Sequence, residues 1–377
     1  MTAGRARARD LGLAPGTLPA GPANAIADVP GIRVGHATLI QGSDIRTGVT
    51  AIVHDVLVGA GPAGQRTLAA GLSVFNGFGK MVGTTQLGEL GTIETPVLLT
   101  STLSVFRVAD AVLTYLHGRP GFARSATLNP VVAETNDGYL SDIWARPITA
   151  EHVSAALDGA AGGPVAEGCV GAGTGTGALG YKAGIGTSSR LCDQGGGQVT
   201  VGVLVQANFG GELTVLGVPC PPPSPGHAGD QDLDQDQSAG NSCVIVIATD
   251  ARLDSGQLTR LAARAFGGMA RVGSDFSGRS GDYALAFSTA DAPAAYSTTA
   301  YSTTGGPATA ANASGPVPDN DLDVLFLAAI EATEEAILNS LFMAVTTTGA
   351  GGRTRQAVPL EYVTARVSGR PARRYGS

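Results

Sequence analysis

The sequence has little charge, few aromatic residues and no long apolar run. Charged residues make up 15% of the 377 residues, aromatic residues make up 5%, and there is one tryptophan. No stretch of about 18 consecutive apolar residues occurs, so no helix is predicted to span a membrane. The net charge of −7 argues against a nucleic-acid-binding protein, in which a basic face is the expected footprint.

The residue spacings of metal sites are also missing. The four cysteines form no CxxC pair and the histidines form neither an HExxH nor an HxH motif, so we predict no metal and no cofactor. Three arginines near the N-terminus, Arg5, Arg7 and Arg9, are not followed by the apolar segment of a secretory signal. We therefore expect a cytoplasmic protein with reduced thiols and a solvated, mobile N-terminal arm.

Glycine and apolar residues are abundant instead. The chain has 55 glycines and 43% hydrophobic residues, without a triplet period, which is typical of a compact α/β enzyme with many tight turns. The residue pattern predicts strands at residues 51–56, 96–100, 198–205, 244–249 and 283–288. Four valines alternate with smaller or polar residues in the third of these, which predicts a half-buried antiparallel strand.

Apolar periodicity predicts helices at residues 104–117, 255–269 and 321–345. The last of them is apolar around much of its axis, so we expect it to be heavily buried. One face of it carries three glutamates, which are Glu331, Glu334 and Glu335. We interpret these glutamates as a solvated stripe rather than as a catalytic pair.

Two segments lack the apolar residues that a core needs. Residues 221–240 are proline-led and then acidic, and residues 291–318 are rich in Ala, Ser, Thr, Gly and Pro, so both are predicted to be surface loops. The first loop ends at Asn241 and Ser242, directly before a strongly apolar strand. By composition alone, this junction fits a linker and a cleavage site equally well.

Ser242 is poorly placed for an ordinary catalytic triad. The GxSxG turn is absent around it and no nearby histidine is marked out as its base, although a serine hydroxyl needs an adjacent base. If the bond between Asn241 and Ser242 is cut, the freed α-amine, with a pKa of about 7.7–8.0, can accept and return the proton. The same hydroxyl would make the cut through an N-to-O acyl shift, and water would hydrolyse the ester.

Eight motifs follow one another along the chain. They read DVPGIRVGHAT, FNGFGKMVGT, PVVAETNDGYLSD, GCVGAGTGTGALGYKAGIGTSSR, VGVLVQANFGG, GNSCVIVIATDA, GRSGDYALAFSTA and AIEATEEAILNSL. Through these motifs the chain resembles the self-cleaving serine peptidases known as L-aminopeptidase/D-amidase–esterases and β-peptidyl aminopeptidases. The resemblance covers the chain apart from the N-terminal arm and residues 291–318.

The resemblance implies a role for each matching residue of the catalytic group. Ser242 matches the nucleophile, and Asn208 matches the asparagine whose amide helps to form the oxyanion hole. Ser280 and Asp282 match a polar cluster that orients the nucleophile and its ammonium group. The family often carries glutamate at the position of Asp282. Whether the shorter aspartate side chain contacts the Ser242 amine directly is not decided by the sequence. Without the resemblance, Asn208 reads as a turn residue, and residues 279–282 read as a β-turn.

Two further residues match the substrate site. Glu134 matches the carboxylate that pairs with the free ammonium group of the substrate, and its alternative is a strand-end salt bridge. Tyr139 matches a tyrosine that lines the site, and a core aromatic residue is an equal alternative. The family often has an asparagine within residues 99–104, which read LTSTLS here, and this change alters either the pocket or only a strand end.

The glycine-rich run at residues 171–177 is similar in composition to a dinucleotide-binding loop. No strand–turn–helix unit with an acidic residue about 20 positions further on surrounds it. The resemblance implies instead that this run is closely packed backbone near the active site.

The implied fold is an α+β four-layer αββα sandwich of the N-terminal-nucleophile hydrolase type. It would form a single domain, residues 1–377, that self-cleavage divides into chains 1–241 and 242–377. The implied activity removes L-α-, D-α- or β-aminoacyl groups from small peptides, amides or esters. The implied assembly is a homotetramer of two-chain units. The alternatives are an acyltransferase like the ornithine acetyltransferases, whose nucleophile is threonine, and an uncleaved non-catalytic relative.

Overall fold

The computed structural model describes residues 4–59, 67–122, 125–194, 197–223, 241–290 and 317–369. Almost all of the two loops predicted from composition, residues 224–240 and 291–316, lies outside these ranges. No helix of the described ranges is long and apolar enough to cross a bilayer.

The strands of the described residues range from 2 to 13 residues in length. In chain order they are β1 (Arg33–Gln41), β2 (Ile45–Val53), β3 (Leu68–Gly77), β4 (Met81–Val82), β5 (Thr92–Ile93), β6 (Val97–Ser101), β7 (Val131–Thr135), β8 (Gly177–Ala178), β9 (Tyr181–Lys182), β10 (Ile185–Gln194), β11 (Gly197–Phe209), β12 (Thr214–Val215), β13 (Val218–Pro219), β14 (Asn241–Thr249), β15 (Gly281–Ser288), β16 (Thr347–Thr348) and β17 (Thr354–Arg355).

Most of these strands belong to two sheets. The first sheet has five strands in the order β1-β2-β6-β7-β4, and the second has six in the order β10-β11-β14-β15-β3-β5. The pairs β6–β7 and β14–β15 are parallel, whereas the other pairs of these two sheets are antiparallel. Four of the five predicted strands are confirmed, with ends that differ by a few residues. The strand predicted at residues 51–56 overlaps only the last three residues of β2, and Asp55–Val58 form a 3-10 helix instead.

The helices are α1 (Thr84–Leu90), α2 (Val105–His117), α3 (Ala150–Asp158), α4 (Ser255–Arg271), α5 (Asp323–Phe342) and α6 (Leu360–Ser368). The three predicted helices correspond to α2, α4 and α5. Asp254 caps α4, because its carboxylate accepts the backbone N–H of Gln257 at 2.8 Å.

Three apolar layers hold the elements together. One lies between α2, α3 and the five-stranded sheet, one between the two sheets, and one between the six-stranded sheet and α4 and α5. This order of layers confirms the αββα sandwich that the resemblance implied. Strand β11 has its residues from Thr200 to Phe209 buried, so the predicted half-buried strand is wrong, since both of its faces are covered.

The N-terminal arm is also different from the prediction. Arg5 donates to the carbonyl oxygens of Val358 and Leu341 at 2.9 and 3.2 Å, and the Arg9 guanidinium lies 2.8 Å from the Glu335 carboxylate. The prediction of a solvated, mobile arm is therefore wrong. The reason is that Arg9 supplies a cation to the buried Glu335 carboxylate on α5, and a buried charge is stable only when it is paired.

The three glutamates of α5 are buried as well. Glu331 and Glu335 lie 3.3 and 2.8 Å from the fully buried Arg190 guanidinium, and Glu334 lies 3.2 Å from Arg271. The predicted solvated stripe is wrong because helical spacing identifies residues that share a face but not the side chains that cover it.

Candidate active site

A single row of backbone partners crosses the six-stranded sheet at Ser242. Asn208 on β11 pairs with Ser242 on β14, and Ser242 pairs with Gly281 on β15. Ser242 is 2% exposed. Side chains alternate along a strand, so Ser242 lies on the same face as Val244, which belongs to the core between the two sheets. The nucleophile predicted from sequence therefore faces the five-stranded sheet.

The side chain of Asn208 is fixed at both ends. Its Nδ2 donates to the backbone carbonyl of Asn136 at 2.9 Å, and its Oδ1 accepts the backbone N–H of Gly177 at 3.1 Å. These two bonds set the orientation of the amide, because a flipped amide would face a donor with a donor. Asn208 lies within β11, so the alternative of a turn asparagine is wrong.

A second cluster lies beside the row, on β15 and β3. Ser280 Oγ donates to Asp282 Oδ1 at 2.6 Å, and Asn76 Nδ2 donates to Asp282 Oδ2 at 2.8 Å. Asp282 is the backbone partner of both Cys243 and Asn76. Burial raises the pKa of the Asp282 carboxyl, and the hydrogen bonds from Ser280 and Asn76 oppose that shift. A turn does form at residues 277–280, but Asp282 lies beyond it on the strand.

Glu134 on β7 presents a buried carboxylate to the same region. It is 2% exposed, and its Oε1 accepts the backbone N–H of Lys80 at 3.0 Å. Its Oε2 has no hydrogen-bond partner among the described residues. Burial raises the pKa of this carboxyl, and the nearby Lys80 ammonium opposes the shift. A buried carboxylate oxygen that has no hydrogen-bond partner among the described residues is suited to bind a cationic ligand.

Two glycines connect Glu134 to the row at Ser242. A Cβ on Gly281 would lie 3.0 Å from Gly79 Cα, and a Cβ on Gly79 would lie 3.2 Å from Glu134 Oε1. The backbones therefore approach closely enough that only glycine fits without displacement at Gly281. Glu134 and Ser242 consequently belong to one site, built from both sheets.

Tyr139 lies at the edge of this arrangement. Its ring is half-buried and packs against the guanidinium of Arg355, 4.0 Å from the ring centroid. A Cβ on Gly177, the residue bonded to Asn208, would lie 3.2 Å from Arg355 Nε. Tyr139 is thus connected to Asn208 through Arg355, and its role in the site stays a prediction.

The glycine-rich run is closely packed backbone, as predicted. A Cβ on Gly173 would lie 2.3 Å from the backbone nitrogen of Ile185, and one on Gly175 would lie 2.0 Å from the carbonyl oxygen of Arg46. The run places Gly177 where it holds Asn208. No cluster of three or more His, Cys, Asp or Glu side chains that could hold a metal ion occurs in the part of the chain that the structure describes.

Four residues of this region were not identified from the sequence. They are Asn76, Lys80, Thr102 and Asp137. Ser101 Oγ donates to Asp137 Oδ1 at 2.7 Å, and burial raises the pKa of Asp137 to about 6. Asn76, Lys80 and Asp137 all occur in motifs that carried the resemblance, so the signal was present but lacked a role.

Residues 99–104, in which the resembled family often has an asparagine, include one contact to the site. Thr102 lies directly after β6, and its hydroxyl oxygen accepts a hydrogen bond from the Lys80 ammonium at 2.8 Å. The same ammonium lies 3.8 Å from Glu134 Oε1. Thr102 therefore holds the Lys80 ammonium beside the Glu134 carboxylate.

Comparisons with known proteins agree with this geometry. Residues 24–355 match the family described as Peptidase family S58. The chain is 40% identical to β-peptidyl aminopeptidase BapA of Sphingosinicella xenopeptidilytica, over 98% of this chain and 92% of that protein.

Solved structures are similar over the same extent. A β-aminopeptidase of Burkholderia sp. has a TM-score of 0.81 and 38% identity, covering 97% of this chain and 100% of that one. The L-aminopeptidase D-Ala-esterase/amidase of Ochrobactrum anthropi has a TM-score of 0.82 and 36% identity, covering 97% of this chain and 99% of that one. That enzyme is described as a prototype of the serine aminopeptidases with a variant of the N-terminal-nucleophile hydrolase fold, and the present chain has the same fold.

Proposed function

The chain belongs to peptidase family S58 and is a serine aminopeptidase of the β-peptidyl aminopeptidase and L-aminopeptidase/D-amidase type, and from that premise we propose that it activates itself by cutting its backbone between Asn241 and Ser242. The single domain of residues 1–377 then consists of chains 1–241 and 242–377. Ser242 becomes both a new N-terminus and the nucleophile.

The cut begins with Ser242 Oγ attacking the carbonyl carbon of Asn241. The C–N bond to Ser242 breaks, an ester forms on Oγ, and the nitrogen leaves as an α-amine. Water then hydrolyses the ester and frees the carboxylate of Asn241. The product amine has a pKa near neutrality in its ordinary state, about 7.7–8.0, so it can serve as a base in later turnovers.

In each turnover Ser242 Oγ attacks the scissile carbonyl while its own α-amine takes the proton. The Asn208 amide stabilises the oxyanion, and Glu134 Oε2 binds the free ammonium group of the substrate. The amine component leaves with a proton, and water hydrolyses the acyl-enzyme. Ser280 and Asp282 orient the Ser242 amine, with the Ser280 hydroxyl bridging to the shorter carboxylate.

The observation that carries this proposal is the shared site of Ser242, Asn208 and Glu134. The register pairs Asn208 with Ser242, and Glu134 lies across Gly79 from them. The buried Oε2 of Glu134 has no hydrogen-bond partner among the described residues. A buried carboxylate facing a cation explains why the substrate needs an unblocked N-terminus. On the basis of the family resemblance, we also expect a cytoplasmic homotetramer of two-chain units.

A denaturing gel tests the cut. The purified protein should run as two pieces, and the smaller piece should begin Ser-Cys-Val-Ile. A lasting single band of 37.7 kDa would disprove self-cleavage.

The Ser242→Ala variant tests the nucleophile. It should stay uncut and should not hydrolyse p-nitroanilides of L-alanine, D-alanine or β-alanine. Ser255→Ala is the matched control, since Ser255 is exposed in the first turn of α4 and its loss should leave cleavage and turnover intact. Turnover by Ser242→Ala would assign the nucleophile to another residue.

A further inference from the structure

Lys80 is a charged residue of the site that the proposed reaction does not use. It directly precedes β4, whose Met81 pairs with Ala133 on β7, so Lys80 stands opposite Glu134 in the antiparallel register. The backbone bond from Lys80 N–H to Glu134 Oε1, at 3.0 Å, fixes this placement. The lysine is therefore held beside the ammonium-binding carboxylate by the sheet itself.

The Lys80 side chain is held as well. Its Nζ donates to Thr102 Oγ1 at 2.8 Å and lies 3.8 Å from Glu134 Oε1. The Lys80 side chain is 40% exposed, whereas that of Glu134 is 2% exposed. The ammonium of Lys80 is thus positioned next to the pocket carboxylate yet remains open to a ligand.

Charge balance determines which ligand suits this pair. A substrate that brings only an ammonium group would place two cations against one buried carboxylate, and like charges at this distance repel in a partly desolvated site. A substrate that carries an anionic group beside its ammonium would complete an alternating set of four charges. The second arrangement leaves no charge uncompensated.

We propose that Lys80 and Glu134 together bind a zwitterionic carbon, and that β-aspartyl (isoaspartyl) amides and peptides are a substrate class of this enzyme. In these compounds the scissile carbonyl is followed by CH2 and then by a carbon bearing both ammonium and carboxylate. The ammonium binds Glu134 Oε2 and the carboxylate binds Lys80 Nζ. The inference rests on the proposed function, because Ser242 is to attack the β-carbonyl.

The reaction is the same hydrolysis with a different acyl group. The C–N bond of the β-amide breaks, water supplies hydroxyl to the acyl carbon and a proton to the amine, and the products are aspartate and a free amine. An α-linked aminoacyl group has spent its α-carboxylate in the scissile bond, so it offers Lys80 no anion on the ammonium-bearing carbon. A γ-glutamyl group has the zwitterion but places it one methylene further from the carbonyl.

Two p-nitroanilides that differ only at the zwitterionic carbon test the inference. One is the β-aspartyl compound, and the other is the 3-aminobutanoyl compound of the same spatial configuration, in which methyl replaces the carboxylate. We expect kcat/KM of the native enzyme to favour the β-aspartyl compound by about tenfold or more, the worth of one charge-assisted hydrogen bond. The γ-glutamyl compound should be poorer than both.

Variants of Lys80 assign that preference to the lysine. Lys80→Met should lower the ratio of the two kcat/KM values by about tenfold or more, mainly through KM of the β-aspartyl compound, and Lys80→Arg should restore part of it. Two-chain processing and Tm of each variant establish that it is folded. If Lys80→Met does not fold, the substrate ratio of the native enzyme decides alone.

Three outcomes separate this inference from the function on which it rests. A native enzyme that cleaves the 3-aminobutanoyl compound at least as well as the β-aspartyl compound overturns the inference and leaves the proposed function standing. A Lys80→Met variant with an unchanged ratio also overturns it. If none of the β-aspartyl, 3-aminobutanoyl and L-alanyl compounds is cleaved, the proposed function itself is wrong.

Discussion

The two sheets contribute different chemistry to one site. The six-stranded sheet carries Ser242, Asn208 and Asp282, which the proposed reaction uses to form and break bonds. The five-stranded sheet carries Glu134, with Lys80 opposite it directly before β4, and we propose that these residues bind the substrate groups that do not react.

The residues of the site also differ in how they are held. On the six-stranded sheet, register alone brings Asn208 next to Ser242, and backbone groups fix the Asn208 amide. Other polar groups of the site are held mainly by side chains. Ser101 donates to Asp137 and Thr102 accepts from Lys80 beside the five-stranded sheet, and on the six-stranded sheet Ser280 and Asn76 donate to Asp282. Asn208 therefore differs from the other polar groups in that backbone groups fix its amide at both ends.

The largest effect is expected from the six-stranded sheet. Asn208→Ala removes the proposed oxyanion donor and should lower kcat by roughly 10²–10³ with little change in KM, measured per mole of processed enzyme. Gln206→Ala is the matched control, because Gln206 lies two residues earlier on the same strand and donates to the carbonyls of Thr100 and Ala172.

The control should lower stability rather than kcat, since it removes a hydrogen-bond donor from each of two buried carbonyls. If Asn208→Ala raised KM and left kcat unchanged, another residue would stabilise the oxyanion. The six-stranded sheet would then not be the part of the molecule that supplies the reacting groups.

An effect of similar size on stability is expected from the five-stranded sheet. Burial raises the pKa of Asp137 from its usual 3.8 to about 6, so the folded protein holds this proton more tightly than the unfolded chain does. The stability that this proton contributes is present below about pH 4 and is lost as the pH rises through about 6, on the order of 3 kcal/mol in all.

The Asp137→Asn variant should lack this dependence. Urea unfolding at intervals from pH 4 to 7 should show the variant gaining stability relative to the native protein as the pH rises. Ser101→Ala, which removes a donor to the carboxylate, should move the native transition to higher pH. A constant difference between Asp137→Asn and the native protein would mean that Asp137 titrates alike in both states.

The sequence predicted the elements of the six-stranded sheet better than the contacts between them. Strong apolar patterns identified β11, β14 and β15, and ordered motifs identified Ser242 as the nucleophile of the resembled family. The register between β11 and β14 could not be read from the pattern, because it depends on which strands become neighbours.

Pairs of polar side chains show the limit more sharply. Glu331 was interpreted as solvated because its partner Arg190 is 141 positions away, and Lys80 and Glu134 are 54 positions apart. Periodicity reports which residues share a face of one element, while a partner on another element leaves no local trace. The N-terminal arginines were misjudged for the same reason.

The smallest effect is expected at Asn76, 206 positions from the carboxylate to which it donates. Removing this donor should raise the pKa of Asp282 further. The acidic limb of the pH profile of kcat/KM should therefore move to higher pH, and kcat/KM at pH 7 should fall by about tenfold or less. Asn76→Asp should move the limb further than Asn76→Ala, because it adds a like charge beside Asp282. Asn76 also donates to the carbonyls of Phe276 and Ser277, and both variants lose those bonds. If both variants lost the same activity and the acidic limb of the pH profile did not move, Asn76 would only hold the loop at Phe276 and Ser277. The pKa of Asp282 would then not depend on Asn76.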